Sequence, residues 1–536
     1  MATGAALELA NTITVGAEPI TSILGTGISN GGALRNISGT NTWGGLITLA
    51  GATQINSDAG ELILDVAAGN AIAGTADNLT FGGAGNITIK DPSNNTTASL
   101  AKIGTGILTL AASSTYSGVT SGSGGWIRAT SSTNALGQGA LSLGGGNLEI
   151  ANDTGLALNR NTTLAASGTI RSDRLTSGAG VTHTLGTLGT LGIGVQTLTL
   201  ETDATVTSGT AGLTFGAVTG TGAATFISNR SATANTLLTL GAITATNFGI
   251  TVGGSGDTSI TGIVGLGSGG LTKTGNGTLT LSAANTYTGT TRISAGTLSI
   301  SATNNLGIAS SAVLLGDALT EGTLSYTGTS VPFTRGFTIG AGGGQLDVTR
   351  SGTTLTVSGT GNITGTGLFT VGGLGNVTVS STISGISGLT MAGSGTLTLS
   401  ATNTFGGTTT VNSGVLRLGN ASALSGSNAV TVAGGTLDNG GFSNSVASFT
   451  ITGGVFSGTG TLTAGAYSLQ GGTISANLGS GTLATLANTT LSGTSAASAV
   501  QLNAGTLTLS TTHLRMGTGR VTVAKAATRL LTVSGT

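Results

Sequence analysis

The chain has 536 residues, of which 98 are glycine, 6% are charged, 3% are aromatic and none is cysteine. Its 17 basic and 17 acidic residues balance, which argues against a surface for nucleic acid or an anionic membrane. Leucine, isoleucine and valine recur along the whole length, unlike in a disordered chain, and glycine lacks the period of three of a collagen. No apolar run approaches the roughly 18 residues that span a bilayer, so we expect no transmembrane segment.

Residues 1–98 are the less regular part of the chain. They begin "MATGAALELANTITVG", which has neither the basic stretch nor the apolar stretch of a secretory signal. We expect any export signal to lie outside this sequence. The segment "GISNG" matches the nucleophile-elbow pattern around Ser29, but in a glycine-rich chain about one such match is expected by chance.

Residues 99–418 contain three copies of a repeat. Copy 1 is "SLAKIGTGILTLAASSTYSGVTSGSGGWIRA" at 99–129, copy 2 is "GLTKTGNGTLTLSAANTYTGTTRISAGTLSI" at 270–300, and copy 3 is "GLTMAGSGTLTLSATNTFGGTTTVNSGVLRL" at 388–418. Copies 2 and 3 are identical at 18 of 31 positions. Self-similarity of this kind is typical of repeat architectures.

Each copy predicts short β-strands separated by turns. In copy 2, Leu279 and Leu281 alternate with threonines, which is the period of a strand with one buried face. Further strands are predicted through Ile293 and through Leu298 and Ile300, with Leu279, Leu281 and Leu298 pointing inward. Helix signals are almost absent.

Repetition over this length favours a β-solenoid over a sandwich or barrel, because a solenoid buries its core between neighbouring coils and has no fixed size. If equivalent stretches lie on the same face, the spacings between the starts of the three copies are whole numbers of coils. A coil of about 24 residues with roughly three strands satisfies both spacings. We therefore expect 1–536 to form one continuous, all-β solenoid of roughly 22 coils, a rod on the order of 100 Å long.

The repeat resembles a known family. The segments "NTYTGTTRISAGTL" at 285–298 and "NTFGGTTTVNSGVL" at 403–416, each preceded by "GTLTLS", resemble the autotransporter-associated β-strand repeat, also called the passenger-associated transport repeat. Copy 1 departs from the pattern, with Ser114 in place of the asparagine. The resemblance implies a right-handed parallel β-helix, secretion to a bacterial cell surface, and a surface-structural or adhesive role.

The C-terminal residues 419–536 are expected to form degenerate coils and not the membrane barrel with which such family members usually end. The last stretch, "VAKAATRLLTVSGT", still has strand character. We therefore expect the chain to be part of a larger surface protein, or to associate end to end into dimers, fibres or a filament through residues such as Leu531 and Val533. A glycan or a host surface is a further possible partner.

The acidic residues offer few candidates for chemistry. Local pairs are expected to be solvated and exposed, and the aspartate of "GGSGDTSI" is out of place for a calcium-binding repeat. The local pairs are Asp58 and Glu61, Glu201 and Asp203, and Asp317 and Glu321. The aspartate of the calcium-like segment is Asp257. Of the two histidines, His183 shares a strand face with Val181 and Leu185 and should be structural, whereas His513 should be exposed and inert.

The sequence thus predicts a non-enzymatic, extracellular structural or adhesive rod with no catalytic residue, cofactor or metal site. One alternative is a carbohydrate- or receptor-binding adhesin with aromatic side chains at its site, namely Trp43, Trp126, Tyr326 and Phe333. A polysaccharide-acting enzyme is the other alternative. It would need a cluster of carboxylates with a basic residue or calcium, which the sequence does not show.

Overall fold

The structure is a computed structural model that describes residues 4–75, 77–95, 98–191, 195–308, 310–359, 361–509, 520–523 and 530–533. The chain divides into two compact units. Unit 1 comprises Met1–Leu271 and Gly275–Gly289, and unit 2 comprises Thr272–Thr274 and Thr290–Thr536. The division between the units falls inside copy 2. The sequence-based subdivision at 98/99 and 418/419 stays a prediction.

Unit 1 consists of three parallel sheets, A, B and C, and one two-stranded sheet. Sheet A contains Leu7–Leu9, Ile20–Gly25, Leu34–Asn36, Ile47–Ser57, Ile72–Gly74, Leu79–Gly82, Ser93–Asn95, Leu100–Lys102, Thr120–Gly122, Leu141–Leu143, Thr162–Leu164, Leu188–Leu191, Val218–Gly220, Ile243–Ala245 and Val264–Gly265. Sheet B contains Thr14–Val15, Thr40–Trp43, Glu61–Leu64, Asn86–Ile89, Ile107–Leu110, Trp126–Thr130, Asn147–Ala151, Gly168–Asp173, Gln196–Glu201, Ala224–Ser228 and Ile250–Gly253. Sheet C contains Thr182–Thr184, Thr210–Thr214, Asn235–Leu240, Asp257–Ile260 and Thr278–Leu281. The two-stranded sheet pairs Gly178–Ala179 with Val206–Ser208.

Unit 2 likewise has three sheets, D, E and F. Sheet D contains Thr291–Ile293, Val313–Leu315, Phe337–Ile339 and Ile363–Gly365. Sheet E contains Gly296–Ile300, Gly322–Tyr326, Gly344–Val348, Leu368–Gly373, Gly388–Met391, Thr408–Val411, Ala429–Val432, Asn444–Ile451, Thr461–Leu469, Asn477–Leu478, Thr482–Thr485, Ala499–Leu502 and Arg520–Val523. Sheet F contains Val331–Phe333, Thr354–Val357, Asn376–Val379, Thr396–Leu399, Val415–Leu418, Thr436–Asp438, Val455–Ser457, Thr473–Ile474, Thr489–Leu491, Thr506–Leu509 and Leu530–Val533. The remaining strand, Leu271–Lys273, has residues in both units.

The prediction of an all-β, parallel β-solenoid is confirmed, with about 22 coils in total. Helical structure in the described part of the chain is confined to two 3-10 turns, Ile28–Asn30 and Thr303–Leu306. Neither turn has the length or apolarity that crossing a bilayer requires.

Coil length is not constant, so the coil length expected from the spacing of the copies is only an average. In sheet A the register partners Leu100, Thr120 and Leu141 are separated by short coils of nearly equal length. Later in that sheet, a much longer coil separates Leu188 from Val218.

The number of strands in each coil varies as well. Coils around copy 1 contribute strands to sheets A and B, and later coils of unit 1 also contribute one to sheet C.

Unit 2 contains coils that are shorter still. In sheet E, Ala466 pairs with Thr482, so a single coil fits between these two positions. The next coil of the same sheet leads from Thr482 to Ala499 and is almost equally short. The variation in coil length is therefore a property of both units.

The assumption that equivalent stretches lie on the same face is wrong. In unit 1, Ile107–Leu110 of copy 1 lies in sheet B, whereas the equivalent strand Thr278–Leu281 of copy 2 lies in sheet C. In unit 2, Gly296–Ile300 of copy 2 lies in sheet E, and its equivalent Val415–Leu418 in copy 3 lies in sheet F. The local sequence therefore specifies a strand–turn–strand unit, and not the side of the coil on which that unit lies.

The core consists of columns of apolar side chains that repeat from coil to coil. Strand residues alternate between buried and partly exposed, as the period of two predicts, with Leu279, Leu281 and Leu298 at 0%, 1% and 0% exposure. One column in sheet B joins register partners with at most 2% exposure, namely Leu62, Ile87, Leu108, Ile127, Leu148, Ile170 and Leu200. Burial of such a column, at about 25 cal/mol per Å² of apolar surface, offsets the conformational entropy that coil formation costs.

Substitution of neighbouring residues in one strand tests this alternation. We expect Leu279→Asp to destabilise the protein by more than about 3 kcal/mol, because it places a charge in the core, and Thr280→Asp by less than about 1 kcal/mol. Denaturant unfolding followed by circular dichroism measures both. The equivalent positions in copy 3 provide the matched control. We expect Leu397→Asp to destabilise the protein as strongly as Leu279→Asp, and Thr398→Asp as weakly as Thr280→Asp. Equal effects within a pair would contradict the inward–outward assignment.

Candidate functional site

The most recurrent residues of the repeat build the coil and do not project from it. The asparagine that starts "NTY" and "NTF" is buried in both copies, with Asn285 at 2% and Asn403 at 3% exposure. Asn403 Oδ1 accepts a hydrogen bond from Ile383 N at 2.8 Å, and Asn403 Nδ2 donates one to Ala423 O at 2.8 Å. The side chain thereby bridges the preceding and the following coil. Asn285 Oδ1 accepts from Val264 N at 2.8 Å in the same way.

Copy 1 keeps this arrangement in a weaker form. Ser114, which replaces the asparagine, is 4% exposed, and its hydroxyl accepts a long hydrogen bond of 3.4 Å from Ser93 N. The shorter side chain therefore satisfies a backbone donor of the preceding coil, as the asparagine does elsewhere. The departure of copy 1 from the family pattern is a substitution within one structural role.

The motif glycine lies against the backbone of the preceding coil. A Cβ atom at Gly289 would lie 2.3 Å from Gly269 O, and one at Gly407 would lie 1.8 Å from Ser387 O. In copy 1 the equivalent distance, from Gly118 to Ala98 O, is 2.3 Å. These contacts are much shorter than van der Waals contact, so only glycine fits. The aromatic residues two positions earlier, Tyr116, Tyr287 and Phe405, are all buried.

A lysine at the fourth position of copies 1 and 2 is also buried. Lys102 is 2% exposed, and its Nζ donates to Ile103 O at 2.6 Å and to Gly104 O at 2.9 Å. Lys273 donates to Thr274 O at 2.7 Å and to Ala295 O at 3.3 Å. Burial lowers the pKa of Lys102 to about 8. Met391 occupies this position in copy 3, so an apolar side chain also fits there. In copies 1 and 2 the lysines donate hydrogen bonds to carbonyl groups of the turns.

Three of the four aromatic residues proposed for sugar stacking are buried, and that part of the adhesin interpretation is wrong. Trp43, Tyr326 and Phe333 are 6%, 2% and 1% exposed. The hydroxyl of Tyr326 donates to Thr329 O at 2.6 Å, and Phe333 stacks on Phe337 with ring centroids 4.9 Å apart.

Trp126, the fourth aromatic candidate, is half-buried. The guanidinium carbon of Arg171 lies 4.2 Å from the centroid of its ring, which is a cation–π contact. One face of the ring is therefore occupied by an arginine of the same unit.

The remaining sequence candidates do not assemble into a catalytic site. Ser29 lies in the 3-10 turn Ile28–Asn30, which is followed by the strand Leu34–Asn36 and not by the helix that a nucleophile elbow requires. Asp257 bonds to neighbouring coils, because its carboxylate accepts from Asn235 Nδ2 at 2.7 Å and from Thr278 N at 2.9 Å.

The local acidic pairs are held apart by separate contacts. Asp58 accepts from Arg35 Nε at 2.7 Å, and Glu61 accepts from Thr88 Oγ1 at 2.5 Å. Asp317 accepts from two backbone N–H groups of its own turn, and these bonds lower its pKa. Asp58 is thereby paired with an arginine, Glu61 with a threonine hydroxyl and Asp317 with backbone groups.

His183 is structural, as its position beside apolar residues predicts, and it is completely buried where partial burial was expected. Nδ1 accepts a hydrogen bond from Leu156 N at 2.9 Å, so the neutral ring carries its proton on Nε2 and donates it to Asp173 O at 3.1 Å. Both ring nitrogens are thus engaged by backbone groups, and burial lowers the pKa. His513 lies outside the described residues.

One carboxylate cluster was not predicted. Glu149, Asp173 and Asp203 each place one carboxylate oxygen within 4.8 Å of the other two. The three residues belong to different coils and are far apart in the chain, so no local motif reveals them. The sequence pairs Asp203 with Glu201, but Glu201 lies beside Arg171, at 3.9 Å from its Nε. Strand register is the signal that could have found the cluster. It pairs Glu149 with Arg171 and Arg171 with Glu201, and the two aspartates lie two positions after Arg171 and Glu201.

Surface depressions are small. One of about 250 Å³ in unit 2 is lined by residues that include Arg292, Asp317 and Thr338. This volume lies below the roughly 300–1,000 Å³ of typical small-molecule sites. The described surface therefore presents strands and turns, and its most unusual chemical feature is the carboxylate cluster of unit 1.

The geometry defines a β-solenoid whose repeated residues are used in stacking its coils. In agreement, the family model of the passenger-associated-transport-repeat matches residues 100–128, 271–300 and 389–418. The chain thus carries three repeats of the kind found in autotransporter passengers, as the resemblance implied.

A curated relative is the protein named "Adhesin BmaC autotransporter" from Brucella suis biovar 1 (strain 1330). It is 40% identical over 144 residues, which cover 26% of this chain and 4% of the adhesin. The chain therefore spans only a small part of the length of this relative. No solved structure matches the chain.

The close approach of the motif glycine gives a direct test. We expect Gly289→Ala to destabilise the protein by about 1–3 kcal/mol, because the added methyl group forces two coils apart. Gly426→Ala is the control, since a Cβ there meets nothing within 4 Å, and it should be neutral or stabilising by up to about 1 kcal/mol. Thermal and denaturant unfolding measure both variants. An unchanged Gly289→Ala protein would contradict the close packing of the coils.

His183 predicts a pH dependence. Because burial lowers its pKa in the folded state, the folded protein resists protonation, and the stability that neutral His183 contributes is present above the unfolded value of about 6.5. That stability is lost as the pH falls from about 6.5 towards the lowered folded value, by at most about 1.4 kcal/mol per pH unit. The measurement is the difference in unfolding free energy between wild type and His183→Gln from pH 8 to 5, and parallel profiles would contradict the assignment.

Proposed function

We propose that this chain is part of the secreted passenger of a bacterial autotransporter adhesin, in which it acts as a non-enzymatic β-solenoid scaffold at the cell surface. One observation carries the proposal: three copies of a passenger repeat occur in a parallel solenoid, and the motif residues of these copies bond and pack within the stack of coils. Such residues extend the fold and leave no recurrent side chain for chemistry.

A non-enzymatic role is supported by how the polar groups are used. The carboxylates of Asp58, Asp257 and Asp317 each accept hydrogen bonds from the chain itself. Both nitrogens of His183 are occupied in the core. A polysaccharide-acting enzyme would need clustered carboxylates with a basic residue or calcium, open to a groove. Glu149, Asp173 and Asp203 form a carboxylate cluster, but Glu149 is 7% exposed and Asp173 is 0% exposed, so two of the three are closed to a polysaccharide.

An adhesive role is the second candidate, because the relative from Brucella suis is named an adhesin. The binding surface would then consist of the polar outward faces of the sheets, since three of the four aromatic candidates are buried. The scaffold and adhesin proposals differ in one property: a scaffold positions other parts of a protein and need not bind a glycan or receptor itself.

The matching segment makes up 4% of the relative, which supports the further proposal that this chain works as one part of a larger surface protein. Association of the chain with a second copy of itself is the alternative expected from the sequence. Sedimentation of the purified chain over a hundredfold range of concentration distinguishes the two. A monomer at every concentration would contradict self-association.

Surface display tests the proposed localisation. The chain is placed between a secretion signal and an autotransporter translocator in a Gram-negative host, and intact cells are treated with proteinase. We expect cleavage of the chain on intact cells, with a periplasmic protein as the uncleaved control. Cleavage only after the outer membrane is permeabilised would contradict a passenger role.

Glycan binding separates the scaffold from the adhesin. The purified chain is applied to a glycan array and to host cells in culture. The scaffold proposal expects no binding above that of a control passenger segment. Reproducible binding to one glycan or one receptor would overturn the scaffold in favour of the adhesin.

A further inference from the structure

We propose that Glu149, Asp173 and Asp203 form a calcium-binding site on sheet B of unit 1. The proposal concerns a ligand that the sequence did not lead us to expect, and it does not rest on the proposed surface role. It depends on two observations of different kinds, the convergence of three carboxylates and a buried carboxylate oxygen that has no hydrogen-bond donor.

The site is built by three successive coils. Glu149 lies in Asn147–Ala151, Asp173 ends Gly168–Asp173, and Asp203 follows Gln196–Glu201. These strands pair in register, with Glu149 beside Arg171 and Arg171 beside Glu201. The inter-coil hydrogen bonds thus fix the relative positions of the three strands, and one carboxylate oxygen from each residue comes within 4.8 Å of the others.

Asp173 supplies the second observation. Its side chain is 0% exposed, and Oδ1 accepts hydrogen bonds from Thr202 Oγ1 at 2.9 Å and from Asp203 N at 2.7 Å. Oδ2 is equally buried but has no hydrogen-bond donor. Leaving a buried carboxylate oxygen without a partner is costly, so a group that donates a proton or a positive charge is expected there.

The charges around the cluster compensate it only in part, because two arginines, Arg128 and Arg171, act on three carboxylates. Glu149 is 7% exposed, and its Oε1 lies 2.9 Å from Arg128 Nε, which neutralises one of the three carboxylates. Burial raises the pKa of Asp173. The hydrogen bond from Asp203 N opposes this rise, and the charge of Asp203 adds to it. Burial also raises the pKa of Glu149, a rise that Arg128 opposes and the two aspartates increase. The folded protein therefore favours either a bound cation or a proton at this position.

A bound Asp203 would be oriented by its own turn. Its Oδ1 accepts hydrogen bonds from Thr205 N at 2.7 Å and from Thr205 Oγ1 at 2.6 Å. These bonds hold the carboxylate in a fixed direction. Asp203 is only partly buried, so water can reach the site and complete the coordination of an ion.

The geometry points to calcium among the common cations. Oxygens bound at 2.3–2.6 Å to one calcium ion are at most about 5 Å apart, which accommodates separations of up to 4.8 Å. Magnesium requires shorter bonds and a near-ideal octahedron, which three carboxylates fixed by separate coils do not provide. The cluster offers only carboxylates, whereas zinc favours sites with histidine or cysteine.

Direct binding is the first test. The purified full chain is treated with EDTA, dialysed into calcium-free buffer at neutral pH, and titrated with CaCl₂ in a calorimeter, with MgCl₂ as the comparison. We expect one calcium per chain, and weaker binding of magnesium. Absence of calcium binding, or binding of magnesium that equals it, would overturn the assignment.

Thermal unfolding is the second test. We expect about 2 mM CaCl₂, which exceeds the roughly 10⁻⁴–10⁻³ M dissociation constants of extracellular calcium modules, to raise the melting temperature by about 1–3 °C relative to EDTA. Asp173→Asn and Glu149→Gln should abolish this shift. Asp438→Asn is the matched control, because Asp438 also accepts from an arginine, Arg417 Nε at 2.9 Å, but lies in sheet F of unit 2. It should retain the shift.

The response of the wild-type melting temperature to calcium at different pH values distinguishes a bound cation from a shared proton. If a shared proton alone neutralises the cluster, calcium leaves the wild-type melting temperature unchanged at every pH, and the proposal is wrong. If either variant fails to fold by circular dichroism, Asp203→Asn replaces it, since Asp203 is less buried. A calcium shift that persists in all three variants would also overturn the site.

Discussion

The hydrogen bonding of each coil to the next, in parallel and in register, is the constraint on which the structure depends. Neighbouring strands must lie about 4.8 Å apart, so every turn must let its backbone approach the backbone of the adjacent coil. Gly289 and Gly407 occur where that approach leaves no room for a Cβ atom. Asn403 occurs where a turn leaves backbone groups of two neighbouring coils in need of partners. The recurrent residues of the repeat are consequences of this spacing.

The same spacing constrains the outer surface. A residue that points outward has its register partners directly above and below it, so like charges in one row repel each other at close range. Sheet B shows the favourable solution in the row Arg128, Glu149, Arg171 and Glu201, in which the sign alternates from coil to coil. A low content of charged residues follows from this geometry. Three neighbouring carboxylates in one cluster depart from this alternation.

The sequence predicted those features that depend on neighbours in the chain. Alternation in "TLTL" was enough to place Leu279 and Leu281 in the core, and repetition was enough to predict a solenoid. It did not predict which sheet each copy joins, because coil length and the number of strands per coil vary along the chain. The aromatic residues of the adhesin alternative are a related case: Phe333 ends a strand and packs against Phe337, a contact that sequence spacing alone does not show. The carboxylate cluster requires the register of three coils, which no local pattern specifies.

Coil length separates regular from irregular parts of unit 1. Between Leu100 and Thr162 the coils are short and nearly equal in length, and copy 1 lies at their beginning. The next two coils, which lead from Thr162 to Leu188 and on to Val218, are longer. Their additional residues form the two-stranded sheet, surround the buried histidine and place the two aspartates of the cluster beside its glutamate. The regular coils around copy 1 satisfy buried backbone groups with single side chains such as Ser114 and Lys102, whereas the longer coils bury a histidine and an aspartate as well. Specific chemistry in this solenoid is therefore expected where the repeat is interrupted, and not in the repeat itself.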